Sequence, residues 1–185
     1  MDERKDFTSE KSALRRKLIQ KRAQIYSRAA LESAATNNIL PLIDGSVMLY
    51  AAIGSELSTE LLFSELKRKK ADIYLPYTSG VDIIPLKADK LESPNKLGNL
   101  SRDCYAGFDI NSAVIPSICV VPLVGINPRG FRLGYGKGCY DRFFASFPHI
   151  RKIGLAFDCQ RVEFKEQSHD IPLDCCVTES GVIYF

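Results

Sequence analysis

The chain has 185 residues, of which 45% are hydrophobic and 25% are charged, and its formal net charge is +3. Length and composition are those of one soluble globular domain over residues 1–185, and they exclude a disordered or membrane-spanning chain. The small net charge does not favour nucleic acid as a partner, whereas an anionic small molecule held by a few local cations fits it.

The predicted elements alternate between helices and apolar strands. Residues 8–36 contain no Gly or Pro and are predicted to form one long helix that Pro41 terminates. Residues 87–113 show no clear pattern. The other elements, in chain order, are a buried strand at 47–53, a helix from Ser58 or Thr59 to Lys70, short strands at 72–77 and 81–86, a strand at 118–124, a helix at 139–147, a buried strand at 152–157 and a terminal strand at 182–185.

Continuous apolar strands that alternate with helices predict an α/β fold, in which helices cover both faces of a mainly parallel sheet. Ligands bind such sheets beyond the carboxyl ends of the strands. We therefore expect a shared binding edge, formed by the loops after Ile53, Tyr77, Val124 and Phe157.

The N-terminal segment MDERKDFTSEK is charged and lacks the apolar core of a signal peptide. The six cysteines include no CxxC pair, and the adjacent Cys175 and Cys176 suit neither a zinc ribbon nor an ordinary disulfide. We expect reduced, mostly structural thiols, a cytoplasmic location and no membrane partner.

The most informative segment for function is NPRGFRLGYGKGCYDR, residues 127–142. It joins an apolar strand to a helix, which is an arrangement that brings backbone N–H groups and cations to a phosphate. It is neither a Walker A loop nor a dinucleotide GxGxxG motif, and the glycines alone are also explained by a tight turn. The added Arg132 and Lys137 favour a binding site, and Asp141 is the first candidate carboxylate for a divalent cation.

Two further segments carry candidate residues. At about 100° per residue, Lys11, Arg15 and Arg22 share the apolar stripe of the first helix, where they form a phosphate clamp or cover the rim of the stripe with their alkyl chains. His169 to Asp174 forms a predicted surface loop, in which each aspartate is a ligand or a turn residue, and His169 is interpreted as a loop histidine.

Three blocks together resemble the 5-formyltetrahydrofolate cyclo-ligase family, also called methenyltetrahydrofolate synthetase. They are Lys11-x-x-Leu14-Arg15 with Arg22, RLGYGKGCYDR at 132–142, and HDIPLD at 169–174 with Val177-Thr178-Glu179. Glu56-Leu57-Ser58-Thr59 is similar to the E-x-x-T block of the family. The resemblance implies a Rossmann-like three-layer α/β/α fold and an ATP- and Mg²⁺-dependent ligase that converts 5-formyltetrahydrofolate to 5,10-methenyltetrahydrofolate. It also implies small-molecule partners and a monomer.

The resemblance implies these site residues by position. Lys11 and Arg15 would contact ATP phosphates, and with Lys137 they are the expected catalytic residues. Ala51 and Glu56 would hold the pterin, and Asp141 and Asp174 would bind Mg²⁺. ATP would be wrapped by the glycine loop (residues 132–140), that is Arg132, Leu133, Gly134, Tyr135, Gly136, Lys137, Gly138, Cys139 and Tyr140, of which Tyr135 to Cys139 would also lie near the folate.

The chain departs from the family pattern at two positions. Asn127 stands where the family usually has an aspartate, so we expect an Asx-turn there and no charge-based role. Cys139 stands where the family usually has an aromatic residue, which removes stacking area.

Three other functions fit parts of the sequence. The first is a non-catalytic nucleotide- or folate-binding protein, against which the retained Lys11, Arg15 and Lys137 argue. The second is a sugar-phosphate isomerase, for which Glu56 is the available general base. The third is an RNA-binding module that uses the arginine- and glycine-containing segment, which the net charge of +3 does not favour.

Overall fold

The computed structural model describes residues 3–95 and 99–185. Its helices are α1 (Glu3–Ala23), α2 (Arg28–Ile39), α3 (Glu60–Arg68) and α4 (Cys139–Ser146). Its strands are β1 (Val47–Met48), β2 (Ile73–Ser79), β3 (Asp82–Lys87), β4 (Ile118–Pro122), β5 (Gly125–Ile126), β6 (Arg132–Leu133), β7 (Arg151–Leu155), β8 (Cys175–Thr178) and β9 (Gly181–Tyr184).

Seven strands form the central sheet, in the order β3-β2-β1-β4-β7-β8-β9. The five inner strands run parallel to one another; they are β2, β1, β4, β7 and β8. The two edge strands, β3 and β9, are antiparallel to their neighbours. The predicted α/β fold with a mainly parallel sheet is confirmed. A separate antiparallel ribbon of β5 and β6 lies outside this sheet.

The pleat of the inner strands divides the hydrophobic core into two clusters. In β4, Ile118 and Val120 belong to the cluster that includes residues of α2 and α3, whereas Cys119 and Val121 belong to the cluster that includes residues of α4. Successive side chains of a strand point to opposite faces, so this division places helices on both faces of the sheet. A third cluster joins Leu18 of α1 to Val124 and Leu133.

The order of strands reverses between β1 and β4. The chain leaves β1 through α3 toward β2 on one side, and it leaves β4 through α4 toward β7 on the other side. The two connections diverge and open a crevice at the carboxyl ends of these strands, which is where open α/β sheets bind ligands. The fold thereby sets the position of the candidate site.

The prediction of one long helix over 8–36 was wrong, since the chain forms α1 and α2 with a break between them. Ser27 has a φ of 54°, a left-handed backbone conformation that no helix interior adopts. The neighbouring Arg22 and Arg28 bond to residues 55 and 56 after β1, so tertiary contacts hold the two helices at different angles. No Gly or Pro marks the break in the sequence.

The strands also differ in detail from the sequence prediction. The predicted strand at 47–53 shortens to Val47–Met48, with one more parallel hydrogen bond from Leu49 N to Tyr74 O. The sequence did not predict β8, which follows the 169–174 loop directly and pairs with β7 and β9. Within the described parts of the chain, no helix has both the length and the hydrophobicity needed to cross a bilayer.

Candidate active site

A cavity of ~490 Å³ opens at the carboxyl edge of the sheet, beside the crevice between β1 and β4. Its volume lies within the range of about 300–1,000 Å³ that is usual for small-molecule sites. Nearly all of the residues assigned from the sequence line it, namely Lys11, Arg15, Ala51, Glu56, Arg132, Leu133, Gly134, Tyr135, Gly136, Lys137, Gly138, Cys139, Tyr140 and Asp141. The structure therefore brings three separate segments to one cavity, and the roles of the residues stay predictions.

The glycine loop runs from β6 into α4 and forms one wall of the cavity. Gly136 and Gly138 have φ values of 99° and 66°, which favour glycine because other side chains are strained there. Arg142 Nη2 donates to Lys137 O at 2.6 Å and holds the end of the loop. The Lys137 side chain is exposed, and its ammonium makes no hydrogen bond or ion pair with any residue that the structure describes. Lys137 is therefore available to an anion.

The three candidate cations of α1, Lys11, Arg15 and Arg22, all bond to residues of other segments. Arg15 Nε donates to Gly134 O at 2.7 Å, and Lys11 Nζ lies 3.4 Å from Asp170 Oδ2. Burial lowers the pKa of Arg15, and the nearby Asp170 carboxylate opposes that change. Arg22 is fully buried and bonds to three different segments. These contacts favour a phosphate clamp over the alternative, in which the alkyl chains only cover the rim of the apolar stripe.

Arg132 and Asp141 form an ion pair of 2.9 Å that is largely shielded from solvent. The Arg132 guanidinium lies 5.7 Å from the ring centroid of Tyr140 and 5.4 Å from that of Phe144, within cation–π distance. Ile171 N also donates to Asp141 Oδ1 at 3.1 Å. Arg132 therefore orients the Asp141 carboxylate, in addition to lining the cavity.

The structure does not bring Asp174 to the cavity. Asp174 precedes β8, and its Oδ2 accepts from Lys152 N at 2.5 Å and lies 3.2 Å from Lys152 Nζ. Asp170 lies on the cavity wall instead, together with His169 and Gln167. No group of three His, Cys, Asp or Glu side chains in the described part of the chain has metal-binding geometry. The assignment of Asp174 to a metal stays a prediction without support from the cavity.

Glu56 is the buried acid of the site, with 4% of its surface exposed. Its Oε2 accepts from Ile53 N at 2.8 Å, and the Tyr135 hydroxyl lies nearby. Burial raises the pKa of Glu56, while the Ile53 N–H, Arg22 and the Tyr135 hydroxyl act in the opposite direction. A buried carboxylate with a free acceptor capacity is suited to a ligand that presents N–H donors.

Asn127 has the structural role expected from the sequence. Its Oδ1 accepts from Arg129 N at 3.1 Å, which forms the Asx-turn, and from Phe131 N at 2.9 Å. Its Nδ2 donates to Phe164 O and to Glu166 Oε2, each at 3.2 Å. An aspartate has no donor for those last two bonds, so the loop of this chain is built around an amide.

Sequence reasoning missed part of the cavity wall. Pro76, Thr78 and Ile83 of the β2–β3 hairpin, Asn99 and Leu100 line it, as do Tyr50 and Pro122 at the ends of β1 and β4. These residues carry no chemical signal in the sequence, since they reach the cavity only through the tertiary fold. The resemblance did contain the signal for Asp170, in the block at 169–174.

Known proteins resemble this chain in sequence and in fold. A model of the 5-formyltetrahydrofolate cyclo-ligase family matches residues 7–179. The chain belongs to this family. The 5-formyltetrahydrofolate cyclo-ligase of Escherichia coli (strain K12) is 31% identical over 150 residues, which cover 74% of this chain and 79% of that protein. The protein of the same name from Mycoplasma pneumoniae is 25% identical over 181 residues, which cover 92% and 99%.

Two solved structures of family members have the same fold. The 5,10-methenyltetrahydrofolate synthetase of Aquifex aeolicus has a TM-score of 0.71 at 28% identity, and the match covers 94% of this chain and 92% of that chain. The synthetase of Mycoplasma pneumoniae has a TM-score of 0.71 at 24% identity, with 91% and 98% covered. The assignment to this family of ligases, made from short sequence blocks, is confirmed.

Proposed function

We propose that the chain catalyses the ATP- and Mg²⁺-dependent conversion of 5-formyltetrahydrofolate to 5,10-methenyltetrahydrofolate, with release of ADP and phosphate. One observation carries the proposal: cations from α1 and the glycine loop line the same cavity as the buried carboxylate of Glu56. A cationic region suits the phosphates of a nucleotide, and a buried carboxylate suits the amide-like N–H donors of a pterin.

The reaction needs an activated formyl oxygen, because a formamide oxygen is a poor leaving group. The formyl oxygen attacks the γ-phosphorus of ATP, so that an O–P bond forms and the bond from phosphorus to ADP breaks. N10 then attacks the formyl carbon and loses its proton to water, and phosphate departs with the C–O bond electrons. Little covalent chemistry falls to the protein, which aligns two substrates and stabilises charge on the moving phosphoryl group.

The cations of the cavity divide this task. Lys137 has an unengaged ammonium and is the residue that we assign to the transferred phosphoryl group. Arg15 bonds to the backbone of the glycine loop through Nε, and its terminal nitrogen lies on the Gly136 side of the loop. Lys11 is paired with Asp170 and contributes its charge from the base of the cavity. A preorganised donor of this kind is typically worth ~3–4 kcal/mol in the transition state.

The acidic residues fit Mg²⁺ that arrives with the nucleotide. Mg²⁺ usually takes one or two carboxylates and completes its shell with phosphate oxygens and water, so a site without a three-ligand protein cage is suitable. Asp141 would be the first ligand, since Arg132 and Ile171 N both engage its Oδ1, and Oδ2 has no hydrogen bond or ion pair with the described residues. Asp170 is the second carboxylate on the wall. When bound, Mg²⁺ would neutralise charge on the phosphate oxygens.

The proposal is tested by mixing the purified protein with 5-formyltetrahydrofolate, ATP and Mg²⁺. Methenyltetrahydrofolate is followed by its near-ultraviolet absorbance, and ADP is measured in the same samples. We expect one ADP for each methenyltetrahydrofolate, and no product when ATP is omitted. Absence of ATP-dependent product would reject the proposal, and ATP binding without turnover would favour a non-catalytic binding protein.

A further inference from the structure

Among the three candidate cations of α1, Arg22 is the one for which the proposed chemistry has no task, although it is the most deeply buried of them, with 1% of its surface exposed. Its guanidinium makes three hydrogen bonds to three different segments. Nε donates to Ser55 Oγ at 3.1 Å, Nη1 to Leu123 O at 2.9 Å, and Nη2 to Tyr135 Oη at 3.0 Å. A planar guanidinium presents its donors in a fixed geometry, so it fixes the relative positions of its partners.

Those three segments are the ones that surround the proposed substrates. Ser55 follows β1 and precedes Glu56, Leu123 directly follows β4, and Tyr135 belongs to the glycine loop. Arg22 thus bonds to the segments that follow β1 and β4, the two strands between which the order of strands reverses. Its side chain joins the region assigned to folate to the loop assigned to ATP.

Tyr135 completes this connection. Its hydroxyl accepts from Arg22 Nη2 at 3.0 Å, and burial together with the nearby Glu56 carboxylate raises the pKa of Tyr135, so the hydroxyl faces both a buried cation and a buried anion. Tyr135 is 50% exposed and lies on the cavity wall. Gly134 and Gly136 flank it and offer little steric restraint, so the hydroxyl contacts, together with the bond from Arg15 to Gly134 O, determine where this part of the loop lies.

We propose that Arg22 is a positioning residue, which holds the Tyr135 hydroxyl against Glu56 and thereby sets the alignment of the ATP-binding loop with the folate-binding carboxylate. Arg22 contacts neither substrate. Its effect passes through Tyr135, and a displacement of about 1 Å between two reacting groups lowers turnover by roughly 10²-fold. This inference rests on the proposed function, because it concerns the alignment of those two substrates.

The test compares Arg22→Lys, Tyr135→Phe and the double variant in the assay described above. Tyr135→Phe removes one oxygen and keeps the ring, so it leaves the fold intact even where Arg22→Lys does not. We expect kcat to fall by roughly 10²-fold in each single variant, while the Kd of ADP, measured by calorimetry without folate, changes less than about threefold. Because both changes break the same connection, the double variant should lose no more kcat than the worse single variant.

Matched controls are available on exposed positions. Arg16→Lys changes an exposed cation of the same helix, and Tyr26→Phe removes the hydroxyl of a tyrosine that is 92% exposed. Both should retain wild-type kcat. A wild-type protein without ATP-dependent product would overturn the proposed function and this inference with it. An active wild type with unchanged kcat in Tyr135→Phe, or multiplicative losses in the double variant, would overturn this inference alone.

Discussion

Lys11 and Asp170 form an ion pair of 3.4 Å on the wall of the cavity, although 159 residues separate them in the chain. Both side chains are largely buried, and the Asp170 carboxylate also faces Arg15 electrostatically. Two cations assigned to the phosphates of ATP therefore share one anionic neighbour. If ATP binds here as proposed, this negative charge should oppose the binding of metal-free ATP and favour ATP that carries Mg²⁺.

The first prediction concerns that charge. Asp170→Asn should tighten the binding of metal-free ATP by roughly fivefold, since one unit charge at about 4 Å in a water-like dielectric is worth ~1 kcal/mol. The preference for ATP with Mg²⁺ over metal-free ATP should fall accordingly. Calorimetric titration with and without chelator measures both affinities. Asp44→Asn, at an exposed position, is the control, and weaker binding of metal-free ATP to Asp170→Asn would contradict the prediction.

The second prediction concerns Lys137. Lys137→Ala should lower kcat by roughly 10²–10³-fold at saturating substrates, because the ammonium is assigned to charge that develops in the transition state. Thermal stability should not change, since the side chain is exposed and its ammonium contacts none of the described residues. Lys17→Ala, at an exposed position of α1, should have wild-type kinetics. Near-wild-type kcat in Lys137→Ala would remove the assignment.

The third prediction compares the two aspartates assigned to Mg²⁺ from the sequence. Asp141→Asn should raise the Mg²⁺ concentration needed for half-maximal activity by at least tenfold, because a direct carboxylate ligand is lost. Asp174→Asn should have a much smaller effect, since the Asp174 carboxylate is held by Lys152 outside the cavity. Mg²⁺ titrations of activity at fixed total ATP measure both. Equal shifts in the two variants would restore Asp174 as a ligand.

The fourth prediction uses the raised pKa of Glu56. The folded protein holds this proton to higher pH than the unfolded chain does, whose carboxyl titrates near the ordinary value of 4.5. The stability that Glu56 contributes is therefore present below pH 4.5 and is lost as the pH rises through the folded pKa. As the pH rises from 4.5 through the folded pKa of Glu56, the free energy of unfolding of the wild type should therefore fall relative to that of Glu56→Gln.

Urea denaturation of both proteins between pH 4 and pH 8 measures this difference in the free energy of unfolding. Folate binding, in contrast, should weaken in Glu56→Gln, because an amide cannot accept two parallel N–H donors as a carboxylate does. The free energy of unfolding of Glu56→Gln relative to the wild type should therefore increase as the pH rises toward neutrality. The variant should also bind folate more weakly. A stability difference that is independent of pH would refute the assignment of a raised pKa to Glu56.

The fifth prediction concerns the amide of Asn127. Asn127→Asp should lower the free energy of unfolding by ~1–3 kcal/mol, because the buried side chain loses its donors to Phe164 O and Glu166 and places a second carboxylate beside Glu166. Asn37→Asp, at an exposed position of α2, should change it by less than about 1 kcal/mol. Urea denaturation at neutral pH measures both, and equal effects would contradict the structural role of the amide.

Local pattern was sufficient for much of the fold and for the content of the site. The apolar runs at 118–124 and 152–157 are long enough to identify buried parallel strands; β4 lies within the first run, and β7 overlaps the second. The cations and glycines of 132–141 identified the loop, since phosphate binding requires those residue types in close succession. The break between α1 and α2 left no such trace, because it results from contacts of Arg22 and Arg28 with residues 55 and 56.

The sequence by itself determined the family, the alternation of helices and strands, and which residue types bear chemistry, because each of these is written in short contiguous segments. Only the tertiary structure decided that Asp170 lies on the cavity wall while Asp174 bonds to Lys152, and that Arg22 joins Tyr135 to the end of β4. Such contacts depend on the register of β7 with β8 and on the angle at which α1 meets the sheet. Both are set by packing between segments far apart in the chain, which no local pattern encodes.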